Sequence, residues 1–531
     1  MKNWRLWIIT AIIFGSYSAL VFNIYTLQVK KSGYYSARAA SQNQLSSTNV
    51  EKRGGIYFTD KNGNKIPAAI NREYPVIYAV PKEISDVDEA TELLALVLKT
   101  DSAKLKNLLK NPKDLYKLLL AKASSEQVAK IKSLGIKGVY VDSAYFRFYP
   151  FGPLAAHVLG FVGPNETNGA QEGRYGLESY YENLLQKKDL VLTVDINIQS
   201  QAEKILKGLI DQYAAVSGTV IVQDPKTGKI LAMGSYPNFD PNDYSKSSLK
   251  NFINPAIQTV YEPGSVFKVL TMSAGIDSGK ITPDTTFYDS GSLVLNGKTI
   301  KNWDKKAHGT VTMTEVIEQS INIGAAFAEK KTGHDIFYNY LLKFGLDKPT
   351  GIGMPGEIVG KLANLKAAFR EINFANASFG QGVSVTPIEL IGAISAIANG
   401  GTLMKPYLTS STQPQSVRSV LSPNTAQKVA GMMVSAVRKA GIAQIPGYEI
   451  AGKTGTAQVP DFKKGGYEDE YIHSYAGFAP ASAPKFTILM KIDKPKGAPL
   501  AGMTVVPAFR ELAQFILNYY NIPADNLATS H

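Results

Sequence analysis

The chain has 531 residues, 44% hydrophobic and 19% charged, which describes a folded protein too long for one ordinary core. Its 57 basic residues exceed its 44 acidic ones, for a formal charge of +13; that excess fits lipid headgroups, an acidic polymer or simply a solvated basic surface, and no basic run interleaved with aromatics points to nucleic acid. Cysteine is absent and the five histidines are scattered without paired spacing, which excludes disulfides, thiolate nucleophiles and Cys-based zinc sites and leaves no cofactor or metal expected.

In chain order, the first element is an apolar helix. No charged residue occurs between Arg5 and Lys30, and Leu6 to Leu27 is mostly apolar or aromatic. At helical rise that stretch spans about 33 Å, enough to cross a bilayer. Trp4, Trp7 and Tyr25 suit the two interfaces. No Ala-x-Ala site follows, so an uncleaved anchor over residues 1–28 is expected rather than a removed signal peptide. Lys2 and Arg5 before the helix balance Lys30, Lys31 and Arg38 after it, so charge alone leaves the orientation open.

Residues 29–212 read as a pedestal. Arg53 to Asp60 and Lys61 to Lys65 predict two short strands around an Asn-Gly turn. Over 85–134 leucines recur at three- and four-residue spacing and predict helices, and Lys137 to Asp142 returns to strand character. Gly160 to Gly176 is rich in Gly, Asn and Pro and predicts a long surface loop. Leu190 to Val194 predicts a strand, with Asp195 capping a helix through about Leu209. No nucleophile–base pairing occurs in this region.

A second unit over 213–525 begins with two apolar strands, Thr219 to Gln223 and Lys229 to Met233, around a Pro/Gly turn. Thr314 to Lys330 predicts a helical stretch, with Ser320-Ile-Asn322 inside the helix or at a helix–loop corner. Thr386 as cap and Pro387 in the first turn open a buried helix through Ala398, and Ser422 caps another from Thr425 to Lys439. Ser474 to Phe478 and Lys485 to Lys491 predict further strands. A last helix runs from about Val506 to Tyr520, leaving 526–531 as a tail. The expected class is α+β, an antiparallel sheet sandwiched by helices.

Three motifs lie in one order: Ser265-Val-Phe-Lys268, Ser320-Ile-Asn322 and Lys453-Thr454-Gly455. Together they read as a serine acyl-transfer site whose base is a lysine. Each alone is common: Ser247-Ser-Leu-Lys250, Ser422-Pro-Asn424, Lys226-Thr-Gly228 and Lys331-Thr-Gly333 match the same patterns in turns, caps and helix ends. Ser265 follows a Pro-Gly turn, and Lys268 falls one helical turn later among Val266, Phe267, Val269 and Leu270. Burial there disfavours the ammonium, so a neutral amine can take the serine proton, and the helix start offers N–H groups to an oxyanion. Ser320 can relay a proton, and Asn322 can hold a substrate amide by donor and acceptor together. Small residues around Lys453-Thr-Gly-Thr456 leave room for an extended substrate to add as a strand at Gly455, with the hydroxyls of Thr454 and Thr456 placed for a carboxylate.

In that order, and spaced 55 and 133 residues apart, the motifs resemble those of the penicillin-binding transpeptidases. The stretches from Tyr261 to Lys268, Ser378 to Pro387 and Gly452 to Gln458 look like their transpeptidase domain. Arg53-Gly-Gly-Ile56 and Tyr175-Gly-Leu-Glu178 look like the non-catalytic, dimerisation-like module of the monofunctional class B members. The resemblance implies that Ser265 attacks the penultimate D-alanine carbonyl of a peptidoglycan stem peptide and passes the acyl group to an amine on a neighbouring stem. It makes Lys268 the general base, Ser320 and Lys453 proton carriers, Asn322 the orienter of the donor, and the N–H groups of Ser265 and Thr456 the oxyanion hole. β-Lactams are expected to trap the serine. Implied partners are stem peptides, the bilayer, a membrane glycosyltransferase and other cell-wall proteins. The implied location is the cell membrane, single-pass, with the catalytic domain outside, and the short segment after Tyr520 favours a division-type member over an elongation-type one. The rival readings are a D,D-carboxypeptidase, a serine β-lactamase, or a division scaffold whose catalysis is incidental.

Overall fold

The computed structural model describes residues 4–30, 53–165, 171–366, 370–461 and 464–525. Lys2, Lys31 and Arg38 of the orientation argument, residues 166–170 of the expected loop and the tail 526–531 lie outside them.

Helix α1 spans Trp4–Tyr25 with its large apolar side chains exposed. The stretch Leu6–Val29 is long and apolar enough to cross a membrane and fits a single-pass anchor.

The chain divides into two compact units. The smaller comprises Met1–Arg53, Ile70–Phe148 and Gly163–Glu172. In it the strand segment 70–79 pairs antiparallel with Val139–Phe148, from Ile70 opposite Phe148 to Ala79 opposite Val139. Helices Val87–Leu98, Ser102–Leu109 and Ser125–Leu134 are capped by Asp86, Asp101 and Ser124, whose side-chain oxygens accept the first free N–H groups. The predicted leucine spacing places Leu94, Leu98, Leu105 and Leu109 on the faces that close over Ile77 and Ala79. The alternate residues Val76 and Tyr78 serve the other face, where Tyr78 stacks on Tyr116. One element differs from expectation: Lys117–Leu120 is a strand inside the stretch read as helical. Pro112 ends the helical pattern, and the apolar run after it completes the sheet beside Tyr78.

Two other segments depart from the sequence reading. The strand expected to end at Lys65 begins there and runs fifteen residues to Ala79. Val162–Pro164 and Gln171–Gly173 are paired strands rather than one loop. Phe161 beside them is buried, its ring stacked on Tyr244 at 4.2 Å. Counting glycine and proline there overlooked the area that one ring can bury.

The larger unit comprises Gly54–Ala69, Tyr149–Val162 and Gly173–His531. Its centre is a five-stranded antiparallel sheet: β1 Ser217–Gln223, β2 Ile230–Tyr236, β3 Ala451–Pro460, β4 Tyr467–Ala479 and β5 Phe486–Asp493. The strand order is β3-β4-β5-β1-β2, so β3 is an edge. Helices α2 (Ile196–Tyr213) and α8 (Val505–Tyr519) cover one face through Ile198, Leu206, Phe509, Leu512 and Ile516. The opposite face carries the helical segment between β2 and β3. Its central helix α6 (Pro387–Ala398) is buried along every residue and opened by the Thr386–Glu389 capping box. Helices α3 (Lys268–Asp277), α4 (Met313–Glu318), α5 (Asn322–Thr332) and α7 (Pro423–Ala440) complete that lobe. The expected sandwich is present. Of the two expectations for 314–330, the helix–loop corner is present: two helices meet where Ser320 adopts φ +57°.

Candidate active site

A short 3-10 turn, Gly264–Phe267, leads straight into α3. It forms because Gly264 takes φ +57° after Pro263, and because Gly380, at φ +77°, has no Cβ to strike the Gly264 backbone. Gly264 N donates to Gly380 O at 3.1 Å, fixing the turn that carries Ser265. Ser265 is half-buried in the first turn, where backbone N–H groups have no partner within the helix. Val266, Phe267, Lys268, Val269 and Leu270 are all fully buried.

The Lys268 amine lies 2.5 Å from Ser320 O, 2.8 Å from Asn322 Oδ1 and 3.2 Å from Ser320 Oγ. Lys453 Nζ donates to the same Ser320 Oγ at 3.0 Å. The Ser320 hydroxyl thus sits between two buried amines, so the structure brings residues from all three motifs together. The left-handed backbone at Ser320 aims its carbonyl at Lys268, a conformation that costs about 1–2 kcal/mol outside glycine and persists only where surroundings impose it. Asn322 Nδ2 donates to Lys301 O at 2.9 Å, which fixes the amide with Oδ1 toward the amine.

Burial pushes the Lys268 amine well below the usual lysine range, and the nearby charge of Lys453 pushes the same way. Burial alone brings Lys453 from 10.5 down to about 7. A neutral Lys268 has two hydrogens and one lone pair. Ser320 O and Asn322 Oδ1 can only accept, so they take the hydrogens and leave the lone pair for a hydroxyl proton. Ser320 Oγ is the hydroxyl within 3.2 Å of it, and Ser265 lies one helical turn earlier in the chain.

Folding also answers to these amines. Between about pH 7 and 10.5 the unfolded chain binds a proton at residue 453 that the folded chain does not. Stability therefore rises with pH across that window, by at most about 1.4 kcal/mol per pH unit for one group. Chemical denaturation of Lys453→Met should show a flatter pH dependence than wild type between those limits; equal slopes would mean that the buried amine stays charged.

Edge strand β3 places Lys453 inward, with Thr454 and Thr456 half-buried. Thr454 Oγ1 accepts from Lys453 Nζ at 3.2 Å and Thr456 Oγ1 from Ala501 N at 3.3 Å. Among the described residues neither hydroxyl finds an acceptor, so both O–H groups remain available to donate. Gly455 differs from expectation. A Cβ there would overlap Ser474 Oγ and lie 2.8 Å from Pro263 O, so the space it leaves is filled by this chain's own strand β4 and the turn that carries Ser265. An added strand would use the free outer edge of β3 instead.

The decoy motifs sit elsewhere. Ser247-Ser-Leu-Lys250 is on an exposed 3-10 turn, and Lys226-Thr-Gly228 is the β1–β2 turn built on the Asp224 carboxylate. Gly333 ends α5, and Ser422 caps α7.

The sequence reading missed the segment Lys301–Trp303. Lys301 O holds Asn322 Nδ2, Asn302 Oδ1 accepts from the N–H groups of Asn322 and Ile323 at 3.1 and 3.2 Å, and Trp303 Nε1 donates to Gln319 O. One signal existed: the residue at the cap position of α5 is Ile321, which cannot accept a hydrogen bond through its side chain. Nothing local says that the missing acceptor arrives from twenty residues upstream.

A family profile described as "Penicillin binding protein transpeptidase domain" matches residues 218–514, and one described as "Penicillin-binding Protein dimerisation domain" matches 48–221. The stage V sporulation protein D of Bacillus subtilis is 33% identical, covering 86% of this chain and 76% of its own. The peptidoglycan D,D-transpeptidase FtsI of Escherichia coli K12 is 29% identical over 89% of this chain and 84% of its own. The crystal structure of penicillin-binding protein 3 from Mycobacterium tuberculosis, complexed with aztreonam, superposes with TM-score 0.69 at 27% identity, covering 90% of this chain and 98% of that one.

Proposed function

The chain belongs to the penicillin-binding protein transpeptidase family, and from that premise we propose how its residues perform peptidoglycan D,D-transpeptidation. The observation that carries the assignment is the Ser320 hydroxyl held between the buried amines of Lys453 and of Lys268, the latter one helical turn after Ser265.

Ser265 Oγ attacks the penultimate D-alanine carbonyl as its proton passes to the Lys268 lone pair. The N–H groups of Ser265 and Thr456 stabilise the oxyanion. The proton moves through Ser320 Oγ to the nitrogen of the departing D-alanine, and the C–N bond breaks to leave the acyl-serine. Lys453 keeps Ser320 polarised, and its amine, with the O–H groups of Thr454 and Thr456, donates to the terminal carboxylate. Asn322 orients the donor amide, and the donor backbone extends along β3 with Gly455 at its centre. An amine from a neighbouring stem then attacks the ester carbonyl. Its proton returns along the same path to Ser265 Oγ, and the amide cross-link departs. β-Lactams acylate the same oxygen.

Residues 1–28 serve as anchor, 29–212 as pedestal and 213–525 as transpeptidase domain. The catalytic domain lies on the outer side of the membrane, where its substrate is, and a membrane glycosyltransferase and other cell-wall proteins supply strands. Its work is of the division type; the relatives named FtsI support that assignment.

The test uses the full chain in detergent. Penicillin should add covalently to the peptide containing Ser265, read by mass spectrometry, and stem peptide with an amine acceptor should give a cross-linked product. An adduct on another serine would overturn the residue assignment. Release of D-alanine with only hydrolysed product, at saturating acceptor, would make the protein a carboxypeptidase.

A further inference from the structure

The corner carrying Ser320 and Asn322 has no cap of its own, and its backbone is in a costly conformation at Ser320. Something outside it must hold it. Lys301, Asn302 and Trp303 each contact it, but Asn302 alone reaches the free N–H groups that open α5. Asn302 is itself almost completely buried, 2% exposed, and its amide is fixed from behind. Its Nδ2 donates to Asp289 Oδ2 at 2.7 Å and to Lys306 O at 2.9 Å. Asp289, fully buried, accepts in addition from Gly291 N, His308 N and His308 Nδ1. The other ring nitrogen of His308 reaches Asp304 Oδ2 at 3.1 Å.

The chain of contacts is therefore continuous: Asp289 orients the Asn302 amide, Asn302 caps α5 at Asn322, and Asn322 Oδ1 holds the Lys268 amine. We infer that Asn302, locked by Asp289, is a positioning residue for the proton-transfer corner, acting on the reaction through Asn322 and Ser320 without touching substrate. This rests on Ser265 being the acylated serine. A buried carboxylate and amide oriented this way cost desolvation that an apolar pair of the same volume would not, which a purely structural packing role leaves unexplained.

The experiment is the kinetics of penicillin acylation of the full chain in detergent, reading both the rate constant and the final fraction labelled, for wild type, Asn302→Ala, Asn302→Asp and the swap Asp289→Asn/Asn302→Asp. Asn302→Ala should label to the same final fraction at a rate lower by on the order of a hundredfold, the effect of misplacing reacting groups by about 1 Å. The acid limb of its rate profile should move to higher pH, because a loosened corner admits water to Lys268. Asn302→Asp faces two carboxylates to each other and should be at least as slow. The swap restores a donor–acceptor pair and should recover about tenfold over Asn302→Asp, the size of a typical contact coupling. A wild-type rate in Asn302→Ala overturns the inference. So does a reduced labelled fraction that reacts at the wild-type rate, which would show a folding role only. A swap no faster than Asn302→Asp overturns it as well, and is decisive if Asn302→Ala does not fold. If wild type itself takes no penicillin, the functional reading has failed instead.

Discussion

Ser265→Ala is expected to take up no penicillin and to form no cross-link, while unfolding at the wild-type temperature. Both halves follow from the geometry. The Ser265 hydroxyl makes no hydrogen bond to any described residue, so removing it strands no partner, and such a change stays within about 0.5 kcal/mol in stability. Yet it is the only hydroxyl in the 3-10 turn Gly264–Phe267, one turn before an amine whose hydrogens are already committed to Ser320 O and Asn322 Oδ1. The nearest sequence rival, Ser247, precedes an exposed lysine, Lys250, outside the buried cluster. Gel fluorescence with a fluorescent penicillin, alongside thermal denaturation, measures the two halves separately. Labelling that persists in a folded Ser265→Ala protein would mean that the nucleophile is elsewhere.

Lys268→Met should slow acylation by about 10²–10⁴-fold, the share of a rate that a positioned general base supplies. The loss should not be rescued by raising pH from 7 to 9, because the missing group is the proton acceptor itself. For stability two effects oppose each other. Methionine removes an amine that is expensive to bury, but leaves Ser320 O and Asn322 Oδ1 without their donor, at about 1–3 kcal/mol for each stranded group. The variant should therefore melt close to wild type while its single-turnover acylation collapses. Stopped-flow acylation and calorimetry on one preparation check both, and an acylation rate within threefold of wild type would hand the base role to Lys453.

Much of this site could be read from the residues alone, because its parts depend on local chemistry. Ser265 and Lys268 share one helical face by spacing, and the apolar residues around them announce burial before any fold is known. Thr386, Ser422 and Asp195 cap helices for reasons that lie within three residues of each. What could not be read is what depends on distant backbone. The left-handed turn at Ser320 joins α4 to α5, and over 314–330 the isolated Ser320, Asn322 and Gly324 among helix formers do not mark where the helix breaks. Asn302 becomes a cap only once the loop after the 292–301 hairpin folds over α5. The strand 117–120 followed a proline in a lysine- and leucine-rich stretch, where short apolar runs do not distinguish helix from sheet.

Gly455 limits how the edge strand can change. At this edge-strand position even a methyl group would drive into Ser474 and the carbonyl of Pro263, displacing the turn that carries Ser265. Added bulk is closed at 455, which leaves the half-exposed threonines on either side as the positions where the edge of β3 can vary without moving that turn.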